Sequence, residues 1–122
     1  MSNRHLPPYF RHIRHAAAKR QRHRCYYCDA QMWLGSPQRF MREHFLSKEG
    51  AVLFQCTAEH LIPFAEGGAS NARNIVAACR YCNHTRHQGF AALSVIEYRA
   101  YVRERVAEGK WRTGLLSRAP KS

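Results

Sequence analysis

The chain has 122 residues, enough for one domain with a modest core, and its seven glycines and five prolines are ordinary numbers that give no argument for wholesale disorder. Twenty Lys and Arg against eight Asp and Glu give a formal charge of +12, with eight His in reserve, which favours a polyanionic partner: nucleic acid first, an anionic membrane surface second. No apolar run reaches the ~18 residues needed to cross a bilayer, and the opening MSNRHLPPYF lacks the apolar stretch of a secretory signal, so the expectation is a cytoplasmic protein with no membrane partner.

Residues 1–8 read as a flexible polar tail ending in Pro7 and Pro8. From Tyr9 to about Arg22, the AAAK segment and the spacing of Phe10, Ile13 and Ala17 predict a helix. Arg11, Arg14, Lys19, Arg20, Arg22 and Arg24 surround its apolar face, the densest positive segment of the chain. Large apolar groups are scarce there, which argues against a membrane-lying helix and leaves a phosphate-binding or a merely solvated one. Cys25 and Cys28 bracket two tyrosines in a tight knuckle, and Trp33 to Pro37 reads as a turn. Gln38 to Lys48 predicts a short helix with Phe40, Met41, Phe45 and Leu46 on its apolar side, and Ala51 to Thr57 predicts a strand. A loop at Gly67–Asn71, a second strand at Asn74–Ala78 and a helix within Arg80–Phe90 follow. Ser94 and Glu97 form the sequence signature of a capping box, opening a helix that runs to about Ala107 and stops at Gly109. Residues 110–122 read as a basic, frayed tail, so the expectation is a single domain over 9–109 with its core at about 51–90.

Four of the five cysteines lie in two Cys-x-x-Cys pairs. In a reducing compartment such pairs more often bind metal than form disulfides. Cys25, Cys28, Cys79 and Cys82 can complete a tetrahedral structural zinc site, with an insert at about 29–55 looping out between the pairs. Cys79 and Cys82 with His84 or His87 form a competing local set. Cys56, in an apolar run, reads as a buried small hydrophobe.

The stretch Cys56–His87, CTAEHLIPFAEGGASNARNIVAACRYCNHTRH, carries an acid–His pair (Glu59-His60), Leu-Ile-Pro, Gly67-Gly68, Asn74 before an aliphatic run, and Cys79-x-x-Cys82-Asn83. In that order these elements resemble the core of the HNH endonuclease family. The resemblance implies an α+β fold: a small ββα-metal (HNH/His-Me finger) core with a four-cysteine structural zinc and flanking helices. It also implies cleavage of DNA phosphodiester bonds, with RNA not excluded, leaving 5′-phosphate and 3′-hydroxyl ends, in phage-related, restriction or mobile-element biology. By the resemblance, His60 is the general base, Glu59 and Asn83 ligate a catalytic divalent ion, and Asn74 holds the base in place through the loop. His87 matches a position used as an additional ligand or phosphate contact in some members, such as the colicin-type nucleases. Arg86 falls where many members carry a basic residue that meets the phosphate, and Arg80, Arg14, Lys19, Arg20 and Arg22 are further candidate nucleic-acid contacts.

The residue chemistry is compatible with those roles. Asn83 and His87 are i and i+4 on the last helix of the motif and share a face. A Glu carboxylate with an Asn amide suits Mg²⁺ or Mn²⁺, and an added imidazole favours transition ions such as Ni²⁺. A His titrates close enough to neutrality to serve as a base. Duller readings stand beside these: a surface His, Asn74 in a turn, Asn83 as a helix cap. Two departures from the family pattern matter, Glu59 in place of the commoner Asp or His and Asn83 in place of His. The alternative function is a non-catalytic, zinc-stabilised nucleic-acid-binding module, and a third reading is an inactive relative serving as an adaptor. Monomer and homodimer are both open.

Overall fold

A computed structural model describes residues 8–63, 66–113, 115 and 119. Of the expected tail at 1–8, only Pro8 is described, and it opens the first helix rather than belonging to a tail; much of 110–122 also lies outside the described residues. In chain order the elements are α1 (Pro8–Arg20), α2 (Gln38–His44), α3 (Lys48–Val52), β1 (Cys56–His60), β2 (Ile75–Cys79), α4 (Arg80–Gly89) and α5 (Val95–Ala107). The small α+β architecture is the expected one, with the ββα unit formed by β1, β2 and α4.

The two strands pair antiparallel in a register that sets Cys56 opposite Cys79 and His60 opposite Ile75. Alternation along β1 sends Thr57 and Glu59 toward α4, which receives both through Asn83, Arg86 and His87. The His60 ring instead meets Phe10 of α1, edge to face at 6.1 Å between centroids. Small side chains let α1 lie close to the sheet: Ala17 and Ala18 of α1 and Ala77 and Ala78 of β2 are all fully buried. The same core takes in the four paired cysteines, Tyr27, and Tyr98 and Val102 from α5.

The open edge of β2 is closed by a side chain. The Gln21 amide accepts from Ala77 N at 2.9 Å and donates to Ala77 O at 2.8 Å, as a neighbouring strand would. Tyr26 N, in the cysteine knuckle, donates to the same carbonyl at 3.0 Å.

The insert differs from its expected course. Phe45 turns left-handed (φ 53°) and stops α2 at His44, short of the expected Lys48. Ser47 then caps a new helix, accepting from Gly50 N at 3.1 Å. Residues 51–52 are consequently helical, and the expected strand from Ala51 begins only at Cys56. The cap and a second small core of Phe40, Leu46, Ala51 and Phe54 outweigh the strand preference of Val52 and Phe54. At the other end, α5 carries both reciprocal capping-box bonds between Ser94 and Glu97, and Gly109 (φ 71°) reverses the chain. The segment after it is not frayed where it is described: Trp111 and Arg112 dock on the cysteine cluster. Among the described residues no helix is long and apolar enough to cross a membrane.

Candidate metal centre and active site

The four sulfurs of Cys25, Cys28, Cys79 and Cys82 lie within 4.8 Å of one another and all four residues are buried. A tetrahedral ion bound at ~2.3 Å places sulfurs ~3.8 Å apart, and Cys28 and Cys79 are separated by 3.9 Å. The donors around them suit thiolates. Cys25 Sγ accepts from the backbone N–H of Tyr27, Cys28 and Cys79 at 3.3, 3.5 and 3.2 Å, and Cys79 Sγ from that of Cys82 at 3.4 Å. Hydrogen bonds from Cys25, Cys79 and Cys82, aided by the Arg112 charge, hold the Cys28 thiol far below its ordinary value. Crowding pushes the other way elsewhere: bonding to Cys25 raises Cys79, and burial raises Cys82. The four sulfurs are placed to hold a structural metal ion, which binds cysteines as thiolates. Cys56 stands apart, its thiol pushed up to about 12 by burial, as expected of a structural residue.

The second constellation lies at the end of β1. Glu59 is buried, and its two oxygens have different company. Oε1 meets His87 Nε2 at 3.0 Å, while Oε2 accepts from Tyr27 Oη at 3.0 Å and from the Arg86 guanidinium at 3.1 Å. Burial and the Glu59 charge keep the Tyr27 phenol protonated, as a donor must be. At 3.0 Å, Glu59 Oε1 and His87 Nε2 are hydrogen-bonded, and the same two atoms can also serve as neighbouring ligands of one ion. His87, a side chain 40 % exposed, opens this pair to solvent. Asn83, one turn earlier on α4, donates its amide N–H₂ to Thr57 Oγ1 at 3.0 Å and to Ala58 O at 3.3 Å.

His60 ends β1 under a loop shaped by Asn74. The Asn74 side chain accepts from Ile62 N at 2.8 Å and donates to Ile62 O and Ala69 O, both at 2.9 Å. A Cβ on Gly68 would fall 1.7 Å from Ile62 O and 2.8 Å from Asn74 Nδ2, so only glycine fits beneath the clamp. The clamp sets Ser70 Oγ 3.0 Å from His60 Nε2, and Tyr9 Oη donates to the Ser70 carbonyl from α1. Burial lowers the His60 pKa; the Glu59 carboxylate opposes this and His87 reinforces it.

The structure thus gathers Glu59 with His87, and Asn74 with the loop over His60, and it gathers the four cysteines rather than the local set with His84 or His87. It places Arg86 in the interior. That residue is 4 % exposed, ion-paired to Glu59 and bonded to Tyr27 Oη at 3.2 Å. Its Nε has no hydrogen-bond partner among the described residues. Arg80, Lys19, Arg20 and Arg22 are exposed, and Arg14 is half-buried. Tyr27 and Ser70 were missed by the sequence reading. No linear spacing relates either to Glu59 or His60, although the helical face shared by Asn83, Arg86 and His87 was there to be read.

Residues 43–89 match the family model described as HNH endonuclease, a span that holds Glu59, His60, Asn74, Cys79, Cys82, Asn83 and His87 but not Cys25, Tyr27 or Cys28. No curated protein and no solved structure was found to match the chain. The ββα unit, the acid–His pair at the end of its first strand and the cysteine-tied frame fit the HNH endonuclease family over the matched residues 43–89.

Proposed function

We propose that this protein is a metal-dependent HNH endonuclease that hydrolyses DNA phosphodiester bonds, with RNA as the alternative substrate. The observation that carries the reading is the meeting of Glu59 Oε1 and His87 Nε2 at 3.0 Å, next in sequence to a His60 whose loop is clamped by Asn74. Glu59, Asn83 and His87 would hold the divalent ion (Mg²⁺, Mn²⁺ or Ni²⁺), Asn83 turning its amide oxygen inward. Such an ion, when bound, neutralises charge on the phosphate and the leaving oxygen. His60, whose pKa burial lowers, accepts the proton of the attacking water. Asn74 positions the loop that fixes His60, and Arg14, Lys19, Arg20, Arg22 and Arg80 meet the DNA backbone. Zinc in the four-cysteine site has a structural role, and thiolates kept free for it agree with the reducing cytoplasm. Residues 9–109 act as a single nuclease domain.

Supercoiled plasmid incubated with Mg²⁺, Mn²⁺ or Ni²⁺, with and without EDTA, tests this. The wild type is expected to nick or linearise it in at least one metal. His60→Ala should remain folded and zinc-loaded yet inactive. No cleavage by the wild type in any metal, or equal cleavage by His60→Ala, would defeat the enzyme reading.

A second reading, a non-catalytic zinc module that binds nucleic acid, is favoured by one observation. Glu59 Oε2 is already engaged by Tyr27 and Arg86, as in a structural ion pair. It predicts no cleavage, no second divalent ion per chain, and salt-sensitive DNA binding that survives His60→Ala.

A further inference from the structure

Beyond α5 the chain does something that neither the family motif nor the cleavage reading requires. Gly109 (φ 71°) and Arg112 (φ 58°) both take left-handed conformations and fold residues 109–113 back over the cysteine cluster. Trp111 Nε1 donates to Cys82 Sγ at 3.3 Å. Its ring stands edge to face against Tyr81 of α4 and Tyr101 of α5, with centroids 5.1 and 6.1 Å away. Arg112 donates to Cys28 Sγ at 3.2 Å, while the same guanidinium lies 4.7 Å above the Phe54 ring. Between them, the two side chains therefore reach one sulfur from each Cys-x-x-Cys pair.

We propose that Trp111 and Arg112 form a C-terminal clasp that retains the metal of the four-cysteine site. Four thiolates around a divalent cation leave two negative charges in a buried place, where an uncompensated charge is costly. The backbone N–H groups supply partial neutralisation and Arg112 supplies the full positive charge in contact with a sulfur. Trp111 covers Cys82 with an aromatic surface and gives its sulfur a donor. Arg112 also ties the cluster to the insert, because Phe54 belongs to the second small core with Phe40, Leu46 and Ala51. The Lys at 110 makes a useful contrast: it is exposed, in the same segment, with the same charge.

The test is zinc release from the intact, zinc-loaded protein to an excess of a chromogenic chelator. Partners that bond to a metal's ligands typically contribute ~10–100-fold to its affinity, so Arg112→Gln should release zinc ~10–100-fold faster than the wild type. Trp111→Phe, which keeps the ring but not the N–H, should give a smaller increase. Arg112→Lys, which keeps the charge but loses the planar fork over Phe54, should fall between wild type and Arg112→Gln. Lys110→Gln should match the wild type. Circular dichroism of each zinc-loaded variant before chelation reports whether it has folded, and if Arg112→Gln does not fold, Arg112→Lys and Trp111→Phe carry the comparison. Release from Arg112→Gln or from the folded pair at the wild-type rate would overturn the clasp, as would equal acceleration by Lys110→Gln.

Discussion

Glu59 has two claims on it, and they make its substitution informative. One oxygen faces His87 and the solvent side; the other is locked by Tyr27 and Arg86 inside the protein. Glu59 therefore matters for folding as well as for the proposed cleavage. Removing one member of a buried ion pair leaves the other without compensation, at a cost of ~3–5 kcal/mol. Arg86→Ala should lose about that much in urea denaturation, a large fraction of the ~5–15 kcal/mol that holds a domain together. A loss below ~1 kcal/mol would mean that the pair is open to water rather than buried. His60→Ala should show the opposite balance, small in stability and total in cleavage. The residue types at 59 and 60 were legible as an acid–His pair, whereas the buried partner of Glu59 was not. In sequence Arg86 reads as a basic residue suited to meet a phosphate, and only packing reveals that it faces inward.

Among the elements, the loop between the strands depends on one glycine and one asparagine. Gly68→Ala should push Ile62 O and the Asn74 amide apart and release the loop over His60. The expected outcome is loss of plasmid cleavage with zinc content unchanged; an active Gly68→Ala protein would show that the clamp does not position His60. The cap of α5 gives a cleaner stability test. Ser94→Ala removes the side chain that accepts from Glu97 N at 3.1 Å, and cap losses of this kind cost ~1 kcal/mol. The Glu97 carboxyl is held below its ordinary value by the backbone and then the hydroxyl of Ser94. A lowered folded-state pKa contributes stability above the unfolded value of ~4.3, and that contribution is lost as pH falls through the folded value. The difference between wild type and Ser94→Ala should accordingly narrow in acid, as followed by thermal melts from pH 7 to pH 3. The box was readable because its residues are three apart. The break between α2 and α3 was not, since it rests on Phe45 adopting a left-handed turn and on a core formed with Phe54.

At the scale of the molecule, the cysteine cluster holds together parts that the chain separates widely. Cys25 and Cys28 follow α1, Cys79 ends β2, Cys82 starts α4, and the segment after α5 covers them. Stripping the metal with a strong chelator should therefore lower the melting temperature of the whole domain cooperatively. Cys25→Ser should lose zinc and stability together, while full zinc retention by that variant would return the choice to the local set with His84 or His87. The +12 charge makes a separate claim, on binding. Affinity for a DNA duplex should fall linearly on a log–log plot against salt, and neutralising Lys19 with Arg20 should flatten the slope by about two contacts.

The sequence by itself determined the order of the elements outside the segment 45–55, the family motif, the pairing of four cysteines out of five and the sign of the surface. These are carried by residue type and by short spacing, which local geometry translates directly into a cap, a turn or a shared helix face. The tertiary structure alone decided which company each group keeps. Glu59 faces an arginine as well as a histidine, Tyr27 reaches from the cysteine knuckle to the acid, Gln21 completes the edge of β2, and Arg112 lies against a sulfur. Those pairings join residues tens of positions apart, and burial makes them strong: a charge removed from water must find its partner wherever the fold brings one.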